Sequence, residues 1–133
     1  MSVEPSREIY NYKAPWNIYG LSWSNRPKSF RLGLSSFIQD YCNKLVVVEM
    51  FNDSLIKVAE ADHHFPITKL KWSPFKGAGP ELLATTGDML RLWEMVDADD
   101  AAPSAGENRK SLNYELRKTS TLCNVRKTVS FFN

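Results

Sequence analysis

The sequence predicts an all-β chain, and three observations predict it. Short runs rich in Ile, Leu, Val, Phe, Tyr and Trp are separated every few residues by Asn, Pro, Gly or Asp. No stretch of helix length carries apolar residues at the spacing of an amphipathic helix. The second half of the chain also repeats the first, and internal repetition outranks other clues to architecture. The length of 133 residues suits one domain or a piece of a larger one. With 43% hydrophobic, 12% aromatic and 24% charged residues, the composition is that of a packing protein, which excludes disordered, collagen-like and disulfide-dense classes.

Taken in order, the first four strand candidates are Ile18 to Trp23, Phe30 to Phe37, Lys44 to Phe51 and Leu55 to Ala59. Four more follow at Ile67 to Trp72, Glu81 to Thr86, Met89 to Met95 and, across a polar insertion, Tyr114 to Leu122. LVVVEM at Leu45 to Met50 aligns with LRLWEM at Leu90 to Met95, and Trp23-Ser24 recurs at Trp72-Ser73. Four strands per unit at a spacing of about 40–45 residues is the pattern of a β-propeller blade. Blades pack on both faces, so a central strand should read as a nearly continuous apolar run, as Leu45 to Val48 does.

The second unit carries more. HHFPITKLKWSPFKGAGPELLATTGDMLRLWEM, His63 to Met95, resembles the WD-repeat pattern: a histidine, a strand ending in WSP, LLAT, an aspartate turn, then LW and an acid. The resemblance implies a structural chain of hydrogen bonds through His64, Thr85, Asp88 and Trp93. A buried indole, imidazole and carboxylate each need partners, and the four would satisfy one another. On this reading Asp88→Ala costs about 1–3 kcal/mol of stability. The repeat departs from the common spacing, with Trp93-Glu94 in place of the terminal WD pair and Val48-Glu49 there in the first unit.

REIYNYKAPWNIYGLSWSNRP, FRLGLSSFIQDYCNKL and PELLATTGDMLRLW together resemble the opening of the WD-repeat scaffolds that include the plant transparent-testa-glabra proteins and the animal scaffold that binds DYRK kinases. Such scaffolds are non-catalytic and hold kinases, transcription regulators and ubiquitin-ligase components on one propeller. The resemblance implies a partial propeller of about two four-stranded antiparallel blades out of roughly seven, an amino-terminal fragment of such a scaffold. Residues 1–16 would complete the last blade, with an unpaired strand around Glu8 to Lys13. Residues 17–62 would be the first blade, residues 63–122 the second with a polar insertion at 97–113, and residues 123–133 an irregular tail. Because stacked units stabilise one another, a two-blade chain is expected to be marginally stable and to self-associate through its exposed blade faces.

His63-His64 lacks a nearby Cys or third His, so no metal site is expected. Ser73, His64 and Asp88 make a triad only on paper, since geometry and not composition defines one. Lys76 to Pro80 holds glycines but lacks the ending of a phosphate loop. No catalytic residue and no cofactor is expected. Trp23, Trp72 and Trp93 occupy repeat-equivalent strand positions and are expected in the core, with Trp16 outside the repeats.

Partners are expected to be proteins, met by the connections between strands: Arg26 and Lys28, then Gln39, Asp40 and Tyr41, then Phe75 and Lys76. A net charge of +2 selects no partner class. Residues 101–133 hold six basic and two acidic side chains, and the pairs Arg109-Lys110, Arg117-Lys118 and Arg126-Lys127 read as solvated surface. Nucleic acid is therefore the alternative: a small β-rich module using the aromatics and the basic tail. A hydrolase with an unrecognised site is the third reading. Cys42 and Cys123 write no disulfide framework, and no signal-peptide or membrane-spanning run is present, so a cytoplasmic or nuclear setting is expected.

Overall fold

A computed structural model describes residues 9–40, 42–74, 77, 79–97 and 114–122. Eight strands run in sequence: β1 (Ile18–Trp23), β2 (Arg31–Ser36), β3 (Asn43–Phe51), β4 (Ser54–His63), β5 (Lys69–Trp72), β6 (Leu82–Thr86), β7 (Leu90–Asp97) and β8 (Tyr114–Leu122). They form two four-stranded antiparallel sheets, ordered β1-β2-β3-β4 and β5-β6-β7-β8. No helix occurs among the described residues. The architecture is all-β, two adjacent meanders consistent with part of a WD-repeat propeller.

Local chemistry explains the turns. Asn52 and Asp53 close the β3–β4 hairpin with φ of 49° and 61°, the left-handed pair that a two-residue turn matched to strand twist requires and that Asn and Asp tolerate. The two sheets also share an irregularity. A register shift lies between Val47 and Val48 in β3 and between Leu92 and Trp93 in β7, the same place in the aligned segments.

The main core lies between the sheets. Leu45, Val47 and Ala59 of the first sheet cluster with Leu70, Trp72, Leu83, Trp93, Met95 and Leu116 of the second. Close approach depends on two glycines in the inner strands. A Cβ at Gly33 would sit 2.8 Å from Leu70 Cδ1 and 3.2 Å from Trp72 Nε1, and one at Gly20 would sit 2.7 Å from Leu70 Cδ2. Trp72 Nε1 donates to the Ser22 carbonyl at 2.9 Å, so its indole is both packed and satisfied.

The opposite face of the first sheet is covered differently. Leu34, Val46 and Val48 are buried by Tyr12 and Trp16 of the preceding segment. Residues 9–13 form no strand; they reach the sheet through side chains. Where this cover stops, β1 is open: Tyr19 is 62% exposed, Leu21 62% and Trp23 56%. Trp23 therefore departs from the expectation of a core position. Repeat equivalence gave it the role of Trp72, but burial of Trp72 comes from the first sheet, and nothing among the described residues lies in that position against Trp23.

Candidate functional site

Antiparallel alternation divides the connections between two rims. The β1–β2 and β5–β6 connections share one rim, and the β2–β3, β4–β5 and β6–β7 connections share the other. Arg26 and Lys28 are exposed on the first rim, Gln39 and Asp40 on the second. Tyr41, Phe75 and Lys76 lie outside the described residues, as do residues 98–113 of the insertion and the tail from 123.

Each rim is held from beneath. On the first, Arg31 is almost fully buried and forms ion pairs with Glu49, at 3.0 Å, and with Glu81 across the sheet boundary. Ser24 donates to Glu81, and Arg26 approaches the same carboxylate at 3.5 Å. Asn25 Nδ2 donates to the Ser73 carbonyl at 3.0 Å, joining the two connections directly. The Tyr114 ring lies 4.2 Å from the guanidinium carbon of Arg31. Burial pulls the Arg31 pKa down, but Glu81 and then Glu49 more than offset it, leaving the group raised and charged. One buried cation thus holds carboxylates from both sheets.

On the second rim Asn43 organises the β2–β3 connection. Its Oδ1 accepts from Ile38 N at 2.7 Å and from Ser36 Oγ at 2.9 Å, while Nδ2 donates to the carbonyls of Ile38 and Asp40. Both donors and both lone pairs of the amide are used. An open depression of about 440 Å³ lies beside this connection, lined by Cys42, Asn43, Lys44, Asp62, His63 and His64. Among the described residues no three His, Cys, Asp or Glu side chains cluster as metal ligands would.

The buried chain of hydrogen bonds runs through His63 and not His64. Trp93 Nε1 donates to Thr85 Oγ1 at 2.9 Å, and Thr85 Oγ1 meets His63 Nε2 at 3.1 Å. His63 Nδ1 meets the Phe65 carbonyl at 2.7 Å. With a proton on Nδ1 every group is used once: indole to hydroxyl, hydroxyl to imidazole, imidazole to carbonyl. His64 is exposed and stacks edge-on to Phe65. The correction has a simple cause. β4 extends to His63, and counting by two from buried Ala59 through Ala61 puts His63 on the inner face and its neighbour outside.

Asp88 is also placed differently. Its carboxylate takes both Nη atoms of Arg91, at 2.6 and 3.2 Å, near the surface, and both His63 ring nitrogens already have partners. The Arg91 bond first, against a smaller cost of burial, lowers the Asp88 pKa. Burial lowers that of His63, partly opposed by its bond to Phe65. The paper triad is separated as well. Ser73 and His64 flank opposite ends of β5, and Ser73 Oγ accepts from Leu82 N at 3.4 Å.

The chain is 38% identical over 131 residues to the DDB1- and CUL4-associated factor 7 homolog of Dictyostelium discoideum, 96% of this chain and 37% of that protein. It is 30% identical over 112 residues to a WD repeat-containing protein of Saccharomyces cerevisiae, 83% of this chain and 19% of the relative. It is 32% identical over 102 residues to an uncharacterized WD repeat-containing protein of Schizosaccharomyces pombe, 68% of this chain and 23% of the relative. Its relatives are WD-repeat proteins. The chain spans well under half the length of each. No protein-family model matches it, and no solved structure does.

Proposed function

We propose that the chain is a non-catalytic protein-binding scaffold whose partners are ubiquitin-ligase components of the DDB1 and CUL4 kind. Similarity along 96% of its length to a protein named for association with those two factors carries the reading. The geometry supports it: buried Arg31, Asn43, His63 and Thr85 are engaged by neighbouring groups, while Arg26, Lys28, Gln39 and Asp40 of the connections above them are exposed. The Arg31, Glu49 and Glu81 cluster and the Asn43 amide lower the entropy that a partner must remove from the rims on binding. Kinases and transcription regulators are further partners under the same reading, which the resemblance to kinase-binding scaffolds supports, in the cytoplasm or the nucleus.

The test is capture of purified DDB1–CUL4 by the immobilised chain, followed by biolayer interferometry. The parent is expected to bind. Arg26→Glu with Lys28→Glu, and separately Gln39→Ala with Asp40→Ala, are expected to weaken capture by tenfold or more at whichever rim is used, about 1.4 kcal/mol. Absence of capture by the folded parent would remove the ligase reading.

A further inference from the structure

The connection between β1 and β2 reads Arg26-Pro27-Lys28-Ser29, a hydroxyl with one cation three residues before it and another directly before it. Serine/threonine kinases that select basic substrates read such cations with carboxylates of their cleft, so the spacing is a charge pattern that a kinase recognises. A second hydroxyl preceded by cations stands in β8, at Arg117-Lys118-Thr119-Ser120. Their settings differ. Ser120 opposes Leu92 in the β7–β8 ladder, and Thr119 Oγ1 donates to the Leu92 carbonyl at 3.3 Å, which fixes that segment in a sheet. Residues 26–29 carry no ladder pairing and lie on the first rim, past the strand ends and away from both sheet faces.

We propose that Ser29 is a phosphorylation site for a basic-directed serine/threonine kinase. Arg26 and Lys28 are exposed, whereas Arg31, the next cation, is buried and held by Glu49 and Glu81, so recognition falls on the two that precede the acceptor. A kinase cleft takes its acceptor segment extended, and this turn resists extension little. Pro27 and Lys28 form it, Lys28 with a φ of 63° that residues with a side chain rarely adopt and that extension relieves. Half-buried Ser29 is tied back by a long bond from its Oγ to the Arg26 carbonyl, 3.4 Å. The flanks are better held. Ser24 and Asn25 are joined to Glu81 and to the Ser73 carbonyl, and the Phe30 carbonyl accepts from Met50 N at 3.0 Å, so the segment between them opens without separating the sheets. In the transfer Ser29 Oγ attacks the γ-phosphorus of ATP, the bond to the β–γ bridging oxygen breaks, ADP leaves, and the hydroxyl proton passes to the catalytic carboxylate of the kinase. The phosphate brings about −1.5 to −2 charges beside Arg26 and Lys28 and cancels the positive charge of this connection.

The test incubates the full chain with magnesium, ATP and the catalytic subunit of cyclic-AMP-dependent protein kinase, a basic-directed enzyme, and reads the product by intact mass and peptide fragmentation. Chain and kinase are the only proteins present, so the outcome is separate from capture of DDB1–CUL4. One phosphoryl group is expected, on Ser29. Ser29→Ala is expected to remove it, and Arg26→Ala with Lys28→Ala to lower kcat/KM by about tenfold or more, both with parental circular dichroism. A parent that takes up no phosphate, phosphate on Ser120 with Ser29 unmodified, a Ser29→Ala chain modified to the parental extent, or a double variant modified at the parental rate would overturn the proposal.

Discussion

Replacing Thr85 by Val removes one hydroxyl and little volume, which isolates the buried hydrogen-bond chain from packing. The hydroxyl accepts from Trp93 Nε1 at 2.9 Å and meets His63 Nε2 at 3.1 Å, at a position with no solvent exposure. Its loss leaves an indole donor and an imidazole nitrogen unpaired, each at about 1–3 kcal/mol, or about 2–4 kcal/mol together once partial relaxation is allowed. Thr85→Ser keeps the hydroxyl and gives up one methyl, about 1 kcal/mol. Asp88→Ala removes a surface pair with Arg91, about 0.2–1 kcal/mol, less than the sequence pattern implies for that residue. Urea unfolding followed by tryptophan fluorescence gives the three values. Hydrogen exchange of the Trp93 indole N–H reads the same bond if the valine variant is too unstable for a full transition. A valine variant within about 0.5 kcal/mol of the parent, or an Asp88→Ala loss exceeding it, would refute the reasoning.

Other perturbations have equally definite outcomes. Burial lowers the folded pKa of His63 beneath its ordinary value of 6.5, so the unfolded chain takes up a proton first as the medium acidifies. Stability is then fully present above pH 6.5 and declines as pH falls from there towards the folded pKa, and denaturation of His63→Gln across this window should show a flatter profile. Arg31→Ala leaves Glu49 and Glu81 buried without their cation and is expected to cost about 3–5 kcal/mol in thermal or urea unfolding. Gly33→Val places a branched side chain against Leu70 and Trp72 and should separate the sheets, seen as loss of Trp72 indole protection. Gly87→Ala should destabilise by about 1–3 kcal/mol, because its Cβ would meet the Pro66 carbonyl oxygen at 2.5 Å.

The strands and their order were legible because apolar runs and turn residues alternate along the chain. Boundaries failed where charge misleads. β4 reads as ending at Ala59 because Glu60 and Asp62 follow, yet these face solvent while Ala59, Ala61 and His63 alternate inward. That alternation was the signal that could have chosen His63 over His64. Arg31 and Glu49 also carried one: opposite charges in otherwise apolar strands become direct cross-strand partners once β2 and β3 are paired. The third member, Glu81, is set by packing between sheets and could not be read from either strand. Trp23 shows the converse limit, since a repeat assigns a residue its place in the unit but not the neighbour that buries it.

Two four-stranded wedges stack face to face, with the Trp72 indole seated on the glycine-bearing inner strands of the first. A nuclear Overhauser measurement on the full chain tests this stacking. A cross-peak is expected between the Trp72 Nε1 proton and the α-protons of Gly33, together with slow exchange of that proton through its bond to the Ser22 carbonyl. A freely exchanging Trp72 indole without contact to Gly33, in a chain whose two sheets are otherwise formed, would contradict it.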